Sequence, residues 1–131
     1  MSNITVVVTG GRGYENRQHV FSVLSRLHKD NHIALLLHGG ATGADALADE
    51  WAVENGVQTA VFAVTDRMWK IYGRAAGPRR NQAMLTSIKE IDLVVAFPGG
   101  NGTSNCVSIA TSLKLPILDE RVRRVVVQEA P

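Results

Sequence analysis

Phe97, Pro98, Gly99, Gly100, Asn101, Gly102 and Thr103 join an apolar run over 93–97 to a helical pattern that Thr103 or Ser104 can cap. A strand, a glycine-rich turn and a helix in that order make a device for holding an anion. Glycine lets the backbone approach a ligand closely, and the unpaired N–H groups and dipole of the helix start favour phosphate or carboxylate. A second turn has a similar build. His38, Gly39, Gly40, Ala41, Thr42, Gly43, Ala44 and Asp45 follow the apolar residues 34–37 and lead into another helical pattern.

Outward from these turns, strand and helix alternate along the chain. Residues 4–9 are a continuous apolar and β-branched run ending at Gly10 and Gly11, the pattern of a strand buried on both faces. Val20, Val23, Leu24 and Leu27 recur at helical spacing within 17–29, and 33–37 reads as a second strand. Leu47, Ala48, Trp51 and Ala52 mark a second helix that Asn55 and Gly56 can terminate. Residues 59–64 give a third strand. The connection 65–77, with Trp69, Tyr72, Gly73 and Gly77, is long enough to be a functional loop or a short helix. Pro78 suits the first turn of a helix carrying Met84, Leu85 and Ile88. A fourth strand over 93–97, a helix with Cys106, Ile109, Ala110 and Leu113 on its inner face, and a fifth strand at 116–118 complete the pattern.

This alternation predicts a single α/β Rossmann-like domain over 1–131, three layers deep, with a mostly parallel sheet of five or slightly more strands and helices on both faces. Residues 121–131 are expected to form an edge strand or a tail. Ligands in such sheets sit beyond the carboxyl ends of the strands, where strand order reverses. With the order three, two, one, four, five, the turns at Gly10, Gly39 and Pro98 converge on one crevice.

Composition narrows the function classes. In 131 residues, 14 Lys and Arg stand against 12 Asp and Glu, so the formal charge of +2 does not mark a nucleic-acid binder. The lone Cys106 excludes an internal disulfide, and no Cys/His spacing suits a structural zinc site, so no metal or cofactor is expected. No apolar run approaches the roughly 20 residues that span a bilayer, and the N-terminus has no signal-peptide pattern. The expectation is a cytoplasmic protein that does not engage membranes.

The ordered segments together resemble the SLOG superfamily of Rossmann-like proteins, in particular its small YspA-like, cpYpsA-related branch, across nearly the whole chain. The segments are Gly10, Gly11 and Arg12; His38, Gly39, Gly40, Ala41, Gly43, Ala44 and Asp45; Trp51 and Ala52; the stretch from Trp69 to Asn81 with Met84; and Pro98, Gly99, Gly100, Gly102 and Thr103. Distant relatives include the cytokinin-activating LOG phosphoribohydrolases, the DNA-processing protein DprA and a putative molybdenum-cofactor carrier. The resemblance implies a nucleotide-like ligand more firmly than any one reaction. It also implies self-association, since relatives commonly form homo-oligomers.

In LOG enzymes an arginine in an Arg, Lys, x, x, Met segment works with a glutamate three residues beyond the Gly, Thr of the last loop. Here Arg80 matches the arginine, Asn81 replaces the lysine, Met84 agrees, and Cys106 stands at the glutamate position. Cleavage of an N-glycosidic bond develops positive charge on the sugar, which a carboxylate stabilises and a neutral thiol does not. Asp45 is the acid best placed to substitute, beside a helix start where it can equally serve as a favourable charge or cap. Arg80 and Asp45 are therefore the candidate catalytic pair.

The candidate ligand contacts are Gly10, Gly11, Arg12, His38, Gly39, Gly40, Ala41, Gly43, Asp45, Trp69, Arg80, Asn81, Pro98, Gly99, Gly100, Asn101, Gly102 and Thr103. Some have structural readings: His38 as a satisfied histidine closing a strand, Trp69 as a loop anchor, Thr103 as a cap. The leading expectation is a protein that binds a nucleotide or nucleotide-derived ligand to sense, carry or sequester it. A nucleoside-monophosphate phosphoribohydrolase is the alternative. A DprA-like module for single-stranded nucleic acid ranks third, because no aromatic-rich basic stripe is visible.

Overall fold

The computed structural model describes residues 3–122. Of the stretch 121–131 read above as an edge strand or tail, residues 123–131 lie outside the described residues. The elements are β1 (Ile4–Thr9), α1 (Arg17–Asp30), β2 (Ile33–His38), α2 (Ala44–Glu54), β3 (Gln58–Val61), α3 (Asp66–Tyr72), a 3-10 turn (Gly73–Ala75), α4 (Ala76–Thr86), β4 (Leu93–Ala96), α5 (Asn101–Ser112) and β5 (Ile117–Asp119).

All five strands are parallel, in the order β3-β2-β1-β4-β5. Chain order therefore reverses between β1 and β4, where Val7 pairs with Val94 and Thr9 with Ala96. The unbroken apolar run of β1 reflects burial on both faces. Val6 and Val8 pack with Leu24, Leu36, Trp51 and Phe97 under α1 and α2. Val7 packs with Leu37, Met84, Val94, Cys106 and Ala110 under α4 and α5. Trp51 is fully buried, and its indole N–H donates to Ser25 Oγ at 3.0 Å, so the largest core side chain leaves no polar atom unpaired.

Local chemistry fixes the helix ends. Asn16 caps α1 by accepting from His19 N at 3.1 Å, and Thr65 caps α3 by accepting from Met68 N at 3.2 Å. Most boundaries lie within a residue of the sequence reading, and three regions differ by more. β3 ends at Val61, short of the expected 64, because its only partner strand among the described residues ends at His38, which pairs with Val61. The long connection 65–77 is α3, the 3-10 turn and the start of α4. α5 starts at Asn101, before either expected cap: Gly100 is the N-cap residue, no side chain caps the helix, and Thr103 lies inside its first turn.

No helix among the described residues is long and apolar enough to cross a membrane.

Candidate functional site

Beyond the carboxyl ends of the strands the three glycine turns come together, with Gly11 as their junction. Gly11 N donates to Pro98 O at 2.8 Å, and Ala44 N donates to Gly11 O at 3.1 Å. A Cβ on Gly99 would collide with Thr103 Oγ1 and the backbone of Gly11, and one on Gly11 would lie 2.9 Å from Pro98 O. These glycines serve loop-to-loop packing.

A cavity of about 480 Å³ opens beside this junction. Its rim carries Gly10, Gly11 and Arg12 from the turn after β1, Gly39, Ala41 and Asp45 from the turn into α2, and Gly100, Asn101, Gly102 and Thr103 from the start of α5. Trp69, Arg80 and Asn81 close it from α3 and α4. Thr9, Arg74, Gly77, Pro78, Met84 and Asn105 also line it. None of these six was among the candidate contacts, and Arg74 and Asn105 bring the longest polar side chains of the six. Arg74 sits in a 3-10 turn and Asn105 follows the glycine motif, so neither carries a pattern of its own.

The two helix starts at the cavity are not equivalent. In α5 the first helical bond is Ser104 N to Gly100 O at 3.1 Å. The N–H groups of Asn101, Gly102 and Thr103 therefore have no partner among the described residues, and no acidic residue occupies that turn. At α2 an acidic residue, Asp45, occupies the first turn, Ala44 N donates to Gly11 O at 3.1 Å, and the amides of the loop ahead of the helix are consumed. Asp45 Oδ2 accepts from Gly39 N at 3.0 Å and Ala41 N at 3.2 Å, while His38 Nδ1 accepts from Gly40 N at 3.0 Å. This corrects the expectation of two similar anion-binding turns: the Gly39 loop folds its amides onto its own side chains.

Five other expectations need adjustment. His38 is buried at 3% exposure, with Nδ1 bonded to Gly40 N–H and Nε2 lying 2.8 Å from Asp49 Oδ1. Both ring nitrogens are committed, and His38 does not line the cavity. Gly43, at φ +77°, packs against the carbonyls of Gly11 and Arg12. Gly99 is covered by Thr103, and Pro98 faces a separate cavity beside Tyr14, His19 and Glu120. Gly40 lines a smaller neighbouring cavity. These five residues do not line the main cavity: His38 and Gly43 are taken up by contacts between the loops, and Pro98 and Gly40 face neighbouring cavities.

Arg80 is held by three acceptors. Nη1 donates to Gly39 O at 2.7 Å and Phe62 O at 3.3 Å, and Nε donates to Asn81 Oδ1 at 2.9 Å. Nη2 has no protein partner among the described residues. Burial weighs against the guanidinium charge and the Asp45 carboxylate favours it. Asn81 is buried; its Nδ2 donates to Gly102 O at 3.2 Å and Asn105 Oδ1 at 3.0 Å, so it ties Arg80 to the first turn of α5. Cys106, at the position of the LOG glutamate, is fully buried, and burial pushes its thiol up to about 11. A neutral thiol under the floor cannot replace a carboxylate.

Burial also raises the Asp45 pKa from its ordinary 3.8, against the Ala41 amide, His38, Arg80 and the Gly39 amide, which lower it. The folded state thus binds this proton more tightly than the unfolded chain. Stability from the group is full below about pH 3.8 and declines as pH rises through the folded-state value. Asp45→Asn keeps one oxygen for both amides and does not ionise. Its denaturation midpoint should decline less than that of the wild type as pH rises above about 4, and equal slopes in urea melts would refute burial as the governing effect.

Among solved structures, DprA from Streptococcus pneumoniae aligns with a TM-score of 0.71 at 17% identity, over 88% of this chain and 50% of that chain. The structural genomics target TM1055 aligns with a TM-score of 0.66 at 20% identity, over 87% of this chain and 72% of its own. This chain thus spans half the length of that DprA chain. These likenesses define the class as a Rossmann-like α/β domain. Residues 4–67 match the family model described as "YspA, cpYpsA-related SLOG family". The Gene 61 protein of Mycobacterium phage D29 is 34% identical over 121 residues, which cover 87% of this chain and 94% of the phage protein. The chain belongs to the YspA, cpYpsA-related SLOG family.

Proposed function

We propose that this protein binds a nucleotide or nucleotide-derived ligand, with a phosphate group on the first turn of α5, and senses, carries or sequesters it. One observation carries the reading: the unpartnered amides of Asn101, Gly102 and Thr103 open on a cavity lined by three arginines, Arg12, Arg74 and Arg80, and a single carboxylate, Asp45. Donors and positive charge in one concave site suit a phosphate monoester. The volume falls within the roughly 300–1,000 Å³ of small-molecule sites. Asp45 places the only negative charge at the α2 side of the cavity, so a phosphate is favoured at α5 and a hydroxylated sugar toward Asp45.

Binding is favoured over glycosidic hydrolysis because the position that would supply a carboxylate holds the buried Cys106. Isothermal titration with adenosine 5′-monophosphate and with adenosine tests the phosphate requirement. The nucleotide should bind at least about tenfold more tightly, and its affinity should fall with added salt. Equal affinities would end the phosphate reading. Release of free adenine from the nucleotide, followed by chromatography, would replace binding with hydrolysis as the activity.

A further inference from the structure

Resting on that phosphate reading, we infer that the ligand carries a heteroaromatic base, which occupies a side compartment between Trp69 and the end of β3. A second cavity of about 230 Å³ adjoins the main one and shares Arg12, Trp69 and Arg80 with it. Its far walls are Gly40, Thr42, Ala63 and Val64, all small and uncharged. Gly40 is pressed against β3: at φ +71° its Cβ would lie 2.9 Å from Val61 Cγ1 and 3.3 Å from Ala63 Cβ. The compartment therefore has a low, uncharged back wall that leaves room for a flat group.

Trp69 supplies the opposite wall. It is the aromatic side chain that lines both cavities, yet it is 44% exposed and belongs to a helix with no buried residue. Core packing does not account for its position. An indole face left open at the mouth of a polar cavity is a stacking platform, and every nucleobase presents a matching π-face. Arg80 lies at the junction, anchored to Gly39 O and Phe62 O. Along the ligand, the phosphate meets α5, the sugar crosses Arg80 and Asp45, and the base reaches Trp69. Past the last ladder bond, Phe62 N to His38 O at 2.8 Å, the Ala63 and Val64 amides have no partner among the described residues and can meet the edge of a base.

Isothermal titration of adenosine 5′-monophosphate and ribose 5-phosphate against four proteins tests this: wild type, Trp69→Ala, Trp69→Phe and Ala63→Leu. Wild type should bind the nucleotide at least about tenfold more tightly than the sugar phosphate. Trp69→Ala should erase most of that ratio and Trp69→Phe should restore it. Ala63→Leu fills the side compartment and should weaken the nucleotide alone. Wild-type binding of both ligands with equal affinity, or an unchanged ratio in Trp69→Ala and Ala63→Leu, overturns the base compartment and leaves the phosphate site standing. Failure of wild type to bind either ligand overturns both.

Discussion

Gly102→Asp is expected to lower nucleotide affinity on the order of 100-fold while leaving the fold as stable as the wild type or slightly more so. Gly102 is the second residue of α5, and a Cβ built there meets nothing within 4 Å. Replacing an exposed helical glycine gains a few tenths of a kcal/mol in propensity, and a carboxylate in the first turn adds about 0.3–1 kcal/mol from the helix dipole. The same carboxylate is an internal anion where the phosphate is placed. Two unit charges about 4 Å apart repel by about 4 kcal/mol at an effective dielectric of 20, an upper figure for a site open to water. Gly102→Asn, equal in shape and uncharged, should keep most of the affinity. Titration gives the binding and a thermal melt gives the stability. Aspartate and asparagine variants of equal affinity would remove the phosphate from α5.

Gly43→Ala is expected to destabilise the domain by about 3 kcal/mol or more, lowering its melting temperature by about 10 °C. Gly43 sits at φ +77° and ψ −128°, a region that only glycine occupies without strain. Its added methyl would also run into the carbonyls of Gly11 and Arg12. That second effect dominates, because Gly11 is bonded on one side to Ala44 and on the other to Pro98. Relief at position 43 therefore has to displace all three turns. Gly56→Ala provides the control: φ is +66° and no atom lies within 4 Å, so only strain of about 1 kcal/mol remains. Urea denaturation of both variants separates the two effects, and equal losses would show that the loop junction adds nothing.

The architecture was legible because its signals are local and repeated. The buried run of β1, the helical spacing of Val20, Val23 and Leu24, and the strand-turn-helix at Phe97 each specify one element. Their alternation allows few topologies. Boundaries were less legible where a partner decides them: β3 ends at Val61 because β2 ends at His38. The convergence of the glycine turns was legible too, but not which amides stay free. Spacing does not reveal that Asp45 and His38 turn back onto Gly39, Gly40 and Ala41, since that depends on side-chain direction after the loops close. Arg74 and Asn105 were missed for a related reason. An isolated arginine or asparagine becomes a wall of the cavity only when tertiary packing aims it there.

Asn81 bridges the arginine of α4 to the opening turn of α5 through bonds of its own amide. The donors proposed for a phosphate are thus braced by the scaffold before any ligand arrives. Their freedom was surrendered during folding, so little ordering of these groups is left for the moment of association. On the proposed reading such a site discriminates by fit, and a ligand whose charge and shape depart from the preset spacing would find no adaptable loop to accommodate it.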